Sequence, residues 1–333
     1  MTALVLEELK KPLVLRERAN LQPASGEVVI QLKASALNRR DYWIQQGLYP
    51  GVQPGIVPGS DGAGIVVQTG PGVDVSWRGR EVLINPGLDW GNNPAVQSDH
   101  FQILGMPRDG TFASEVRVPA GQLHARPSHL NWLEAAALPL GALTAYRALF
   151  SQGGLRAGET VLITGIGGGV AGFALQFAVK AGAAVWVTSS SPHKIQRAVE
   201  LGAQGGFDYT LPLWTTEFSK IAGAPNLVID SAAGTGYRDL IHLTAPGARI
   251  VNYGATAGPP EKLDMFKVFW KQLRLTGTTM GSADDFSNML AFVEKHGVKP
   301  VIEDVFPLAE ANRALHKMAT SPQFGKYVLK ISE

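Results

Sequence analysis

The sequence predicts an α/β protein of two domains: a mostly-β domain first, then a doubly wound domain built on a parallel sheet. Three observations carry this. The chain has 333 residues, too many for one small core. Residues 1–120 hold short β-branched runs punctuated by Gly and Pro. From about residue 126 the rhythm changes to continuous apolar strands alternating with helical segments, the mark of a parallel sheet covered on both faces.

In the first region, "EVVIQLKASAL" (27–37), "GAGIVVQTG" (62–70), "REVLINPG" (80–87) and "FASEVRVPA" (112–120) read as strands of a small, partly open barrel or sandwich. Residues 87–110 form a long insertion, and a loop of that length in a compact domain is usually functional or lobe-like. "LNWLEAAALPLGALTAYRALF" (130–150) has helical spacing, with breaks expected at Pro139 and Gly141.

The alternation then begins. "TVLIT" (160–164) is a strand, and a helix over 170–182 ends at Gly182. "AVWVT" (184–188) is the next strand. The helix over 192–202 has Ser191 as N-cap and Pro192 at its first position. Strands follow at 226–231, 248–254 and 273–280, with helical segments between. A helix (283–296), a strand (299–306), a helix (309–319) and a strand (325–331) close the chain. They depart from the earlier rhythm and are expected to return to the first domain.

Composition narrows the function. Apolar content of 45% and charged content of 17% describe a globular chain. The formal net charge is +2 with no basic block, so nothing points to nucleic acid or to an anionic membrane. No window reaches the roughly 18–20 apolar residues of a membrane span, and the first ten residues lack a secretory pattern; a cytosolic protein is expected. There are no cysteines, which removes disulfides, thiolate catalysis and cysteine-ligated zinc. The seven histidines are scattered, so no metal site is expected.

The chemistry-bearing motif is "TVLITGIGGGVAGFALQ". Gly167-Gly168-Gly169-Val170-Ala171-Gly172 satisfies G-x-G-x-x-G between a strand and a helix. Glycines permit a tight turn and close approach of phosphate, and the helix N-terminus offers free N–H groups. The pattern alone is weak in a chain with 38 glycines; the strand–loop–helix context favours dinucleotide binding. The next strand ends in Thr188, Ser189, Ser190 and Ser191, with Lys194 nearby, where NAD-selective sites place an acid on the ribose diol. Hydroxyls and a cation suit a 2′-phosphate, so NADPH is expected as cofactor. The competing reading is that these serines only cap the helix at 192.

With these motifs in view, the chain resembles the medium-chain dehydrogenase/reductase superfamily along its full length, and within it the zinc-free quinone oxidoreductase and enone reductase branch. The segments that carry the resemblance are 36–50, 58–73, 135–149, 164–172, 208–210, 277–282 and 325–329. It implies a GroES-like catalytic domain from residues 1–125 and 281–333, a Rossmann domain over 126–280, and an active site in the cleft between them. It also implies a homodimer or homotetramer and a small-molecule acceptor.

In zinc-dependent members the segment matching "GSDGAG" carries a His-Glu pair; here Ser60 and Asp61 stand there, and the ligand cysteine in the segment matching "ALNRRD" is missing. The 87–110 loop matches a lobe that holds structural zinc elsewhere. Asp61 then either joins a network beside the nicotinamide or makes an Asx-turn that starts its strand. By position, Asn38, Asp41 and Tyr49 match polar residues of the quinone-reductase pocket, and Trp43 stands where a tyrosine is usual. The resemblance assigns Thr144 to the nicotinamide amide, Gly168, Gly169 and Val170 to the pyrophosphate, and Ser190, Lys194 and Tyr209 to the 2′-phosphate and ribose. It makes Gly254, Thr279 and Lys326 cofactor neighbours.

Without a metal Lewis acid, hydride is delivered most easily to acceptors that delocalise charge, such as quinones and α,β-unsaturated carbonyls. Two alternatives stay open at this point: an alcohol dehydrogenase with an atypical metal site at Asp61 and His100, and an NADPH-binding protein with little turnover.

Overall fold

The computed structural model describes residues 1–320 and 323–332. The expected first domain runs to residue 333; positions 321, 322 and 333 of it lie outside the described residues. The chain divides into two compact units, Met1–Gly141 with the chain from Gly281 onward, and Ala142–Met280.

The first unit is built on one sheet. Its strands run in the order Ile302–Pro307, Lys326–Lys330, Glu27–Ala36, Asp61–Thr69, Glu81–Ile84 and Leu123–Ala125, and Glu115–Pro119 adds onto Glu27–Ala36. Ile302–Pro307 and Lys326–Lys330 are parallel; the other pairings are antiparallel. The last two strands therefore return to the first domain, as their break in rhythm suggests. The hairpin of Thr2–Val5 with Val14–Glu17 completes the β structure of the N-terminal region.

Glu27–Ala36 is the spine of this sheet. Val28, Val29, Ile30, Leu32, Ala34 and Ala36 are all buried, while Gln31 between them is exposed. Asp61–Thr69 lies against it with Gly64 facing Leu32. A Cβ on Gly64 would run into the Gln31 carbonyl oxygen, so close backbone approach excludes any side chain there.

Residues 126–141, placed with the nucleotide domain by the sequence reading, lie in the first unit. The helix Trp132–Ala137 packs on Glu27–Ala36, Asp61–Thr69 and Lys326–Lys330, and its burial of Ala135, Ala136 and Ala137 ties the segment to this sheet. Pro139 does break the helical run, but it does so by opening a new helix, Pro139–Tyr146, at a position where its missing N–H costs nothing. Gly141 lies inside that helix rather than ending one.

The 87–110 loop is ordered around Trp90. Short strands Gly87–Leu88 and Gln102–Ile103 pair, and Phe101 meets Trp90 edge-on at 5.2 Å. The Trp90 indole donates to the Asn93 carbonyl at 3.0 Å, and Ser98 Oγ donates to the Asp89 carbonyl at 2.7 Å.

The second unit is a six-stranded, wholly parallel sheet in the order Gly205–Phe207, Ala184–Thr188, Thr160–Ile163, Leu227–Asp230, Arg249–Asn252, Arg274–Gly277. The central strands are buried apolar runs: Val161, Leu162 and Ile163, then Leu227, Val228 and Ile229. The edge strand Gly205–Phe207 escaped the sequence reading because two of its three residues are glycines. They are there for packing: a Cβ on Gly205 would strike the Trp186 ring, and one on Gly206 would strike Ile195.

Gly64→Ala is expected to destabilise the protein by about 2 kcal/mol or more through overpacking. A urea unfolding curve compared with wild type checks this, and an unchanged midpoint would show that the two strands can separate at that point.

Candidate functional site

Strand register brings three distant residues of the first unit, Asn38, Asp61 and Lys326, to one place. Val328 pairs with Ala36 in the antiparallel ladder, and the Leu37 amide donates to the Tyr327 carbonyl. Continuing that register by one step sets Lys326 opposite Asn38. On the other side of the same strand Ala36 pairs with Asp61. Asn38, two residues past Ala36, thus sits between the first residues of both neighbouring strands. It is also the N-cap of the helix Arg39–Gln45.

The polar groups close on one another. Lys326 Nζ donates to Asn38 Oδ1 at 2.6 Å and to Asp61 Oδ2 at 2.9 Å. Asn38 Nδ2 donates to the same Asp61 oxygen at 2.9 Å. Asp61 Oδ1 accepts the Leu140 amide at 2.8 Å. The Asn38 amide donates to Asp41 Oδ2 at 2.7 Å, the N-cap half of a capping box. Asp61 is wholly buried, Asp41 is 1% exposed and Lys326 4%. A second branch runs beside it. Arg40 Nη1 donates to Ser60 Oγ at 2.7 Å and to the Leu104 carbonyl at 2.9 Å, and the Arg40 guanidinium lies 4.9 Å from the Tyr49 ring centroid.

Two atoms in this group have no hydrogen-bond partner, Asp41 Oδ1 and Arg40 Nε. Burial pushes the Asp41 carboxyl up to about 6 against the pull of Arg40, Asn38 and Lys326, and Asp61 adds to the rise.

The sequence left Asp61 between a network and an Asx-turn. Within the first unit both carboxylate oxygens bond Lys326, Asn38 and Leu140 rather than forming an Asx-turn, and the strand start is held through the Asp61 carbonyl, by Ser35 Oγ at 2.7 Å and Thr111 Oγ1 at 2.8 Å. Asn38, Asp41, Asp61 and Lys326 come together directly, with Tyr49 joined through Arg40. Trp43 lies one turn into the helix, half-buried, with its ring 5.2 Å from that of Tyr42. Arg40 was missed. One arginine of the "RRDYW" run is buried and one exposed, and side-chain type does not distinguish them.

These groups do not make a zinc-ligand set. An ammonium occupies Asp61, Ser60 Oγ points to the Leu104 carbonyl at 2.7 Å, and a guanidinium lies against it. His100 is exposed on the 87–110 loop, and among the described residues no three His, Asp or Glu side chains group to hold a metal.

In the second unit the candidate cofactor residues gather at one edge, because all six strands are parallel. Gly167, Gly168, Gly169 and Val170 follow Thr160–Ile163, and Ser189, Ser190 and Ser191 follow Ala184–Thr188. Tyr209, Gly254 and Thr279 follow the strands ending at Phe207, Asn252 and Gly277. That carboxyl end is where doubly wound sheets bind ligands. Thr144 is buried on the helix Pro139–Tyr146.

Gly168 is the N-cap of the helix Gly169–Lys180 and supplies no side-chain cap, so the first-turn amides are left for an incoming group. Gly165 turns the chain before it at φ 63°. This glycine turn fits a pyrophosphate. Ser191 caps the helix Pro192–Glu200, its hydroxyl accepting the Lys194 amide at 3.4 Å. The capping role weighed from sequence is therefore present, while Ser190 stands exposed beside it.

A further network at this edge escaped the sequence reading. Asp230 accepts Thr164 Oγ1 at 2.6 Å and Asn252 Nδ2 at 2.7 Å, and Tyr237 donates to Asn252 Oδ1 at 2.7 Å. Burial, aided by Asp230, pushes the Tyr237 phenol up to about 12. The strand-final "D" of "NLVID" was its only signal.

One unit carries a glycine turn at the carboxyl end of a parallel sheet and the other a buried polar cluster at one end of its strands, the parts expected of a two-domain nicotinamide-dependent oxidoreductase. The comparisons make this specific. Residues 24–128 match the alcohol dehydrogenase GroES-like domain and residues 169–295 the zinc-binding dehydrogenase family. The zinc-type alcohol dehydrogenase-like protein YogA of Leptosphaeria maculans is 35% identical over 340 residues, 96% of this chain and 95% of that one. A crystal structure of an NAD-dependent alcohol dehydrogenase superposes with a TM-score of 0.94 at 36% identity, covering 100% of both chains. Crotonyl-CoA reductase of Streptomyces collinus is 26% identical over 80% of this chain and 66% of its own. The chain belongs to the medium-chain dehydrogenase/reductase superfamily, with a GroES-like domain and a Rossmann domain, and is an oxidoreductase of that type acting with a nicotinamide cofactor on a small molecule. Among the described residues no helix is long and apolar enough to cross a membrane.

The raised Asp41 group has a pH signature. Between about pH 4 and pH 6 the native carboxyl keeps its proton while the unfolded chain's gives it up, so stability falls as pH rises through this window. Above it the cost is complete, of order 3 kcal/mol. Asp41→Asn removes that slope, so the variant's stability relative to wild type should grow between pH 4 and 7. Urea unfolding at stepped pH measures it; a pH-independent difference would show that the Asp41 carboxyl titrates alike in the folded and unfolded chains.

Proposed function

We propose that the protein is an NADPH-dependent oxidoreductase that delivers hydride to a quinone or an α,β-unsaturated carbonyl without a catalytic metal. One observation carries the reading. The position where zinc-dependent relatives are expected to hold metal is filled here by the protein's own buried cations, Lys326 on Asp61 and Arg40 on Ser60. A site without a Lewis acid suits acceptors that already spread negative charge.

A bound nicotinamide supplies the hydride. This chain's residues supply position and polarisation. The glycine turn 167–170 receives the pyrophosphate, and Thr144, Gly254, Thr279 and Lys326 are the remaining cofactor neighbours that the resemblance assigns. Ser189, Ser190, Ser191, Lys194 and Tyr209 take the 2′-phosphate and ribose. The Tyr49 hydroxyl and the Asn38 carboxamide donate to the oxygen that gains charge as an enolate or hydroquinone anion forms, while Trp43 walls the acceptor and Asp41 and Asp61 hold Asn38. Losing one well-placed oxyanion donor costs about 2.7–4 kcal/mol. The name crotonyl-CoA reductase, borne by one relative, is consistent with an enone acceptor.

A second reading is alcohol oxidation with NAD, favoured by the names of YogA and of the NAD-dependent crystal structure. A panel of quinones, enones and secondary alcohols, run with NADPH and NADH and with and without a chelator, separates the two. Chelator-insensitive, NADPH-preferring reduction of enones or quinones is expected. Chelator-sensitive alcohol oxidation, with stoichiometric zinc in the purified protein, would replace the proposal with the second reading. Tight NADPH binding with no turnover of any substrate would leave a binding protein.

Within the first outcome, Tyr49→Phe should lower kcat about a hundredfold or more, and unchanged turnover would make Tyr49 a packing residue. Lys194→Ala should raise the KM for NADPH and leave that for NADH unchanged; equal shifts would assign Lys194 elsewhere.

The protein is further read as a cytosolic homodimer or homotetramer pairing through the nucleotide unit. Phe266, Phe269 and Trp270 on the helix Met265–Trp270 are 62–72% exposed, with Phe266 and Trp270 stacked, and they adjoin the edge strand Arg274–Gly277. Light scattering should give a multiple of 35.5 kDa, and Trp270→Lys should lower it; a monomeric wild type would refute the pairing.

A further inference from the structure

We infer that Lys326 is a positioning residue for Asn38, fixing which edge of its carboxamide faces an acceptor, rather than a direct contact of the cofactor. The inference rests on the proposed role of Asn38 as an oxyanion donor, and it deepens that reading.

A carboxamide can sit in either of two flips, which exchange a donor for an acceptor. Here the flip is decided by charge. Asn38 Oδ1 faces the Lys326 ammonium at 2.6 Å, and Nδ2 faces the Asp61 carboxylate at 2.9 Å. Turning the amide over would set NH2 against ammonium and oxygen against carboxylate. Both bonds would become repulsions in a site that excludes water. The remaining Nδ2 hydrogen therefore has a single direction, and an oxygen placed along it meets a donor and never an acceptor.

Asn38 is gripped at three points: its backbone amide by Asp41, its carbonyl oxygen by Lys326 and its amide nitrogen by Asp61. Asp61 is anchored in turn by the Leu140 amide. Two stretches distant in sequence thus hold one side chain that is itself 8% exposed, and a third anchors Asp61. A buried ion pair is a poor device for stability alone, since apolar replacements are often neutral or better. It is a good device for holding a polar side chain in one orientation.

The geometry also separates this role from the one the resemblance assigns. Two of the three Lys326 N–H directions are taken by Asn38 and Asp61. The ammonium charge is spent on Asp61, and an ammonium already neutralised by a buried carboxylate is a weak partner for a cofactor phosphate.

The test is a double-mutant cycle on Lys326→Met and Asn38→Leu, read on whichever acceptor the wild type turns over. Lys326→Met alone should lower kcat about tenfold to a hundredfold, the size of effect that misplacing a catalytic group produces. The dissociation constant for NADPH, followed by its fluorescence, should stay within about twofold. In the Asn38→Leu background the same substitution should cost no further kcat, because the residue it positions is gone. Additive losses in kcat would overturn the inference, as would a loss of NADPH affinity matching the loss of rate. If Lys326→Met fails to fold, Lys326→Arg keeps the charge with a different hydrogen-bond geometry. It should hold the melting temperature and NADPH affinity while lowering kcat, and an Arg variant with wild-type kcat would overturn the inference. A wild type that oxidises only alcohols removes the proposed acceptor class but leaves the cycle readable on that substrate. A wild type inert on every substrate would overturn both.

Discussion

The ion pair between Lys326 and Asp61 is the constraint on which the catalytic unit's polar centre depends. It joins the first residue of the second strand in the sheet order to the first residue of the strand two places along, across Glu27–Ala36. Neither charge is solvated. Removing one partner would strand the other, at a cost of about 3–5 kcal/mol. The pair is only possible because the C-terminal segment, nearly three hundred residues away in sequence, folds back beside the N-terminal strands. The tail of the chain is thereby part of the site.

The donor set in this region does not fit a zinc ion. Zinc sites need deprotonated, electron-rich ligands. In this chain the equivalent region presents ammonium and guanidinium groups hydrogen-bonded to Asp61, Asn38, Ser60 and the Leu104 carbonyl. Positive charge is supplied by the protein, fixed in place and buried. Such a centre can orient hydrogen-bond donors and stabilise a developing anion. The Asp41 carboxyl, raised by burial and with one oxygen unpartnered, shows how closely balanced the charges are.

The nucleotide unit follows a different logic. Its candidate residues are brought together by sheet topology rather than by contact with each other. Parallel strands all end on the same edge, so residues a few positions past a strand arrive there. Gly168, Ser190, Tyr209, Gly254 and Thr279, which the resemblance grouped, share that edge although their spacing in the chain is wide. Asp230 was missed: its importance comes from the Thr164 and Asn252 side chains on neighbouring strands, which no local pattern reports.

By itself the sequence determined the class of fold, the glycine turn, the return of the last two strands to the first unit, and the absence of any thiol chemistry. Each of these is local. Apolar runs, Gly and Pro spacing and composition act over a few residues, so they are legible in one dimension. Only the tertiary structure decided what Asp61 does, that Arg40 is buried, that Lys326 meets Asn38, and that residues 126–141 belong with the first sheet. Those outcomes are set by strand register and by which buried charge finds which partner. Energies of that kind depend on neighbours distant in sequence, and a single residue's type does not encode them.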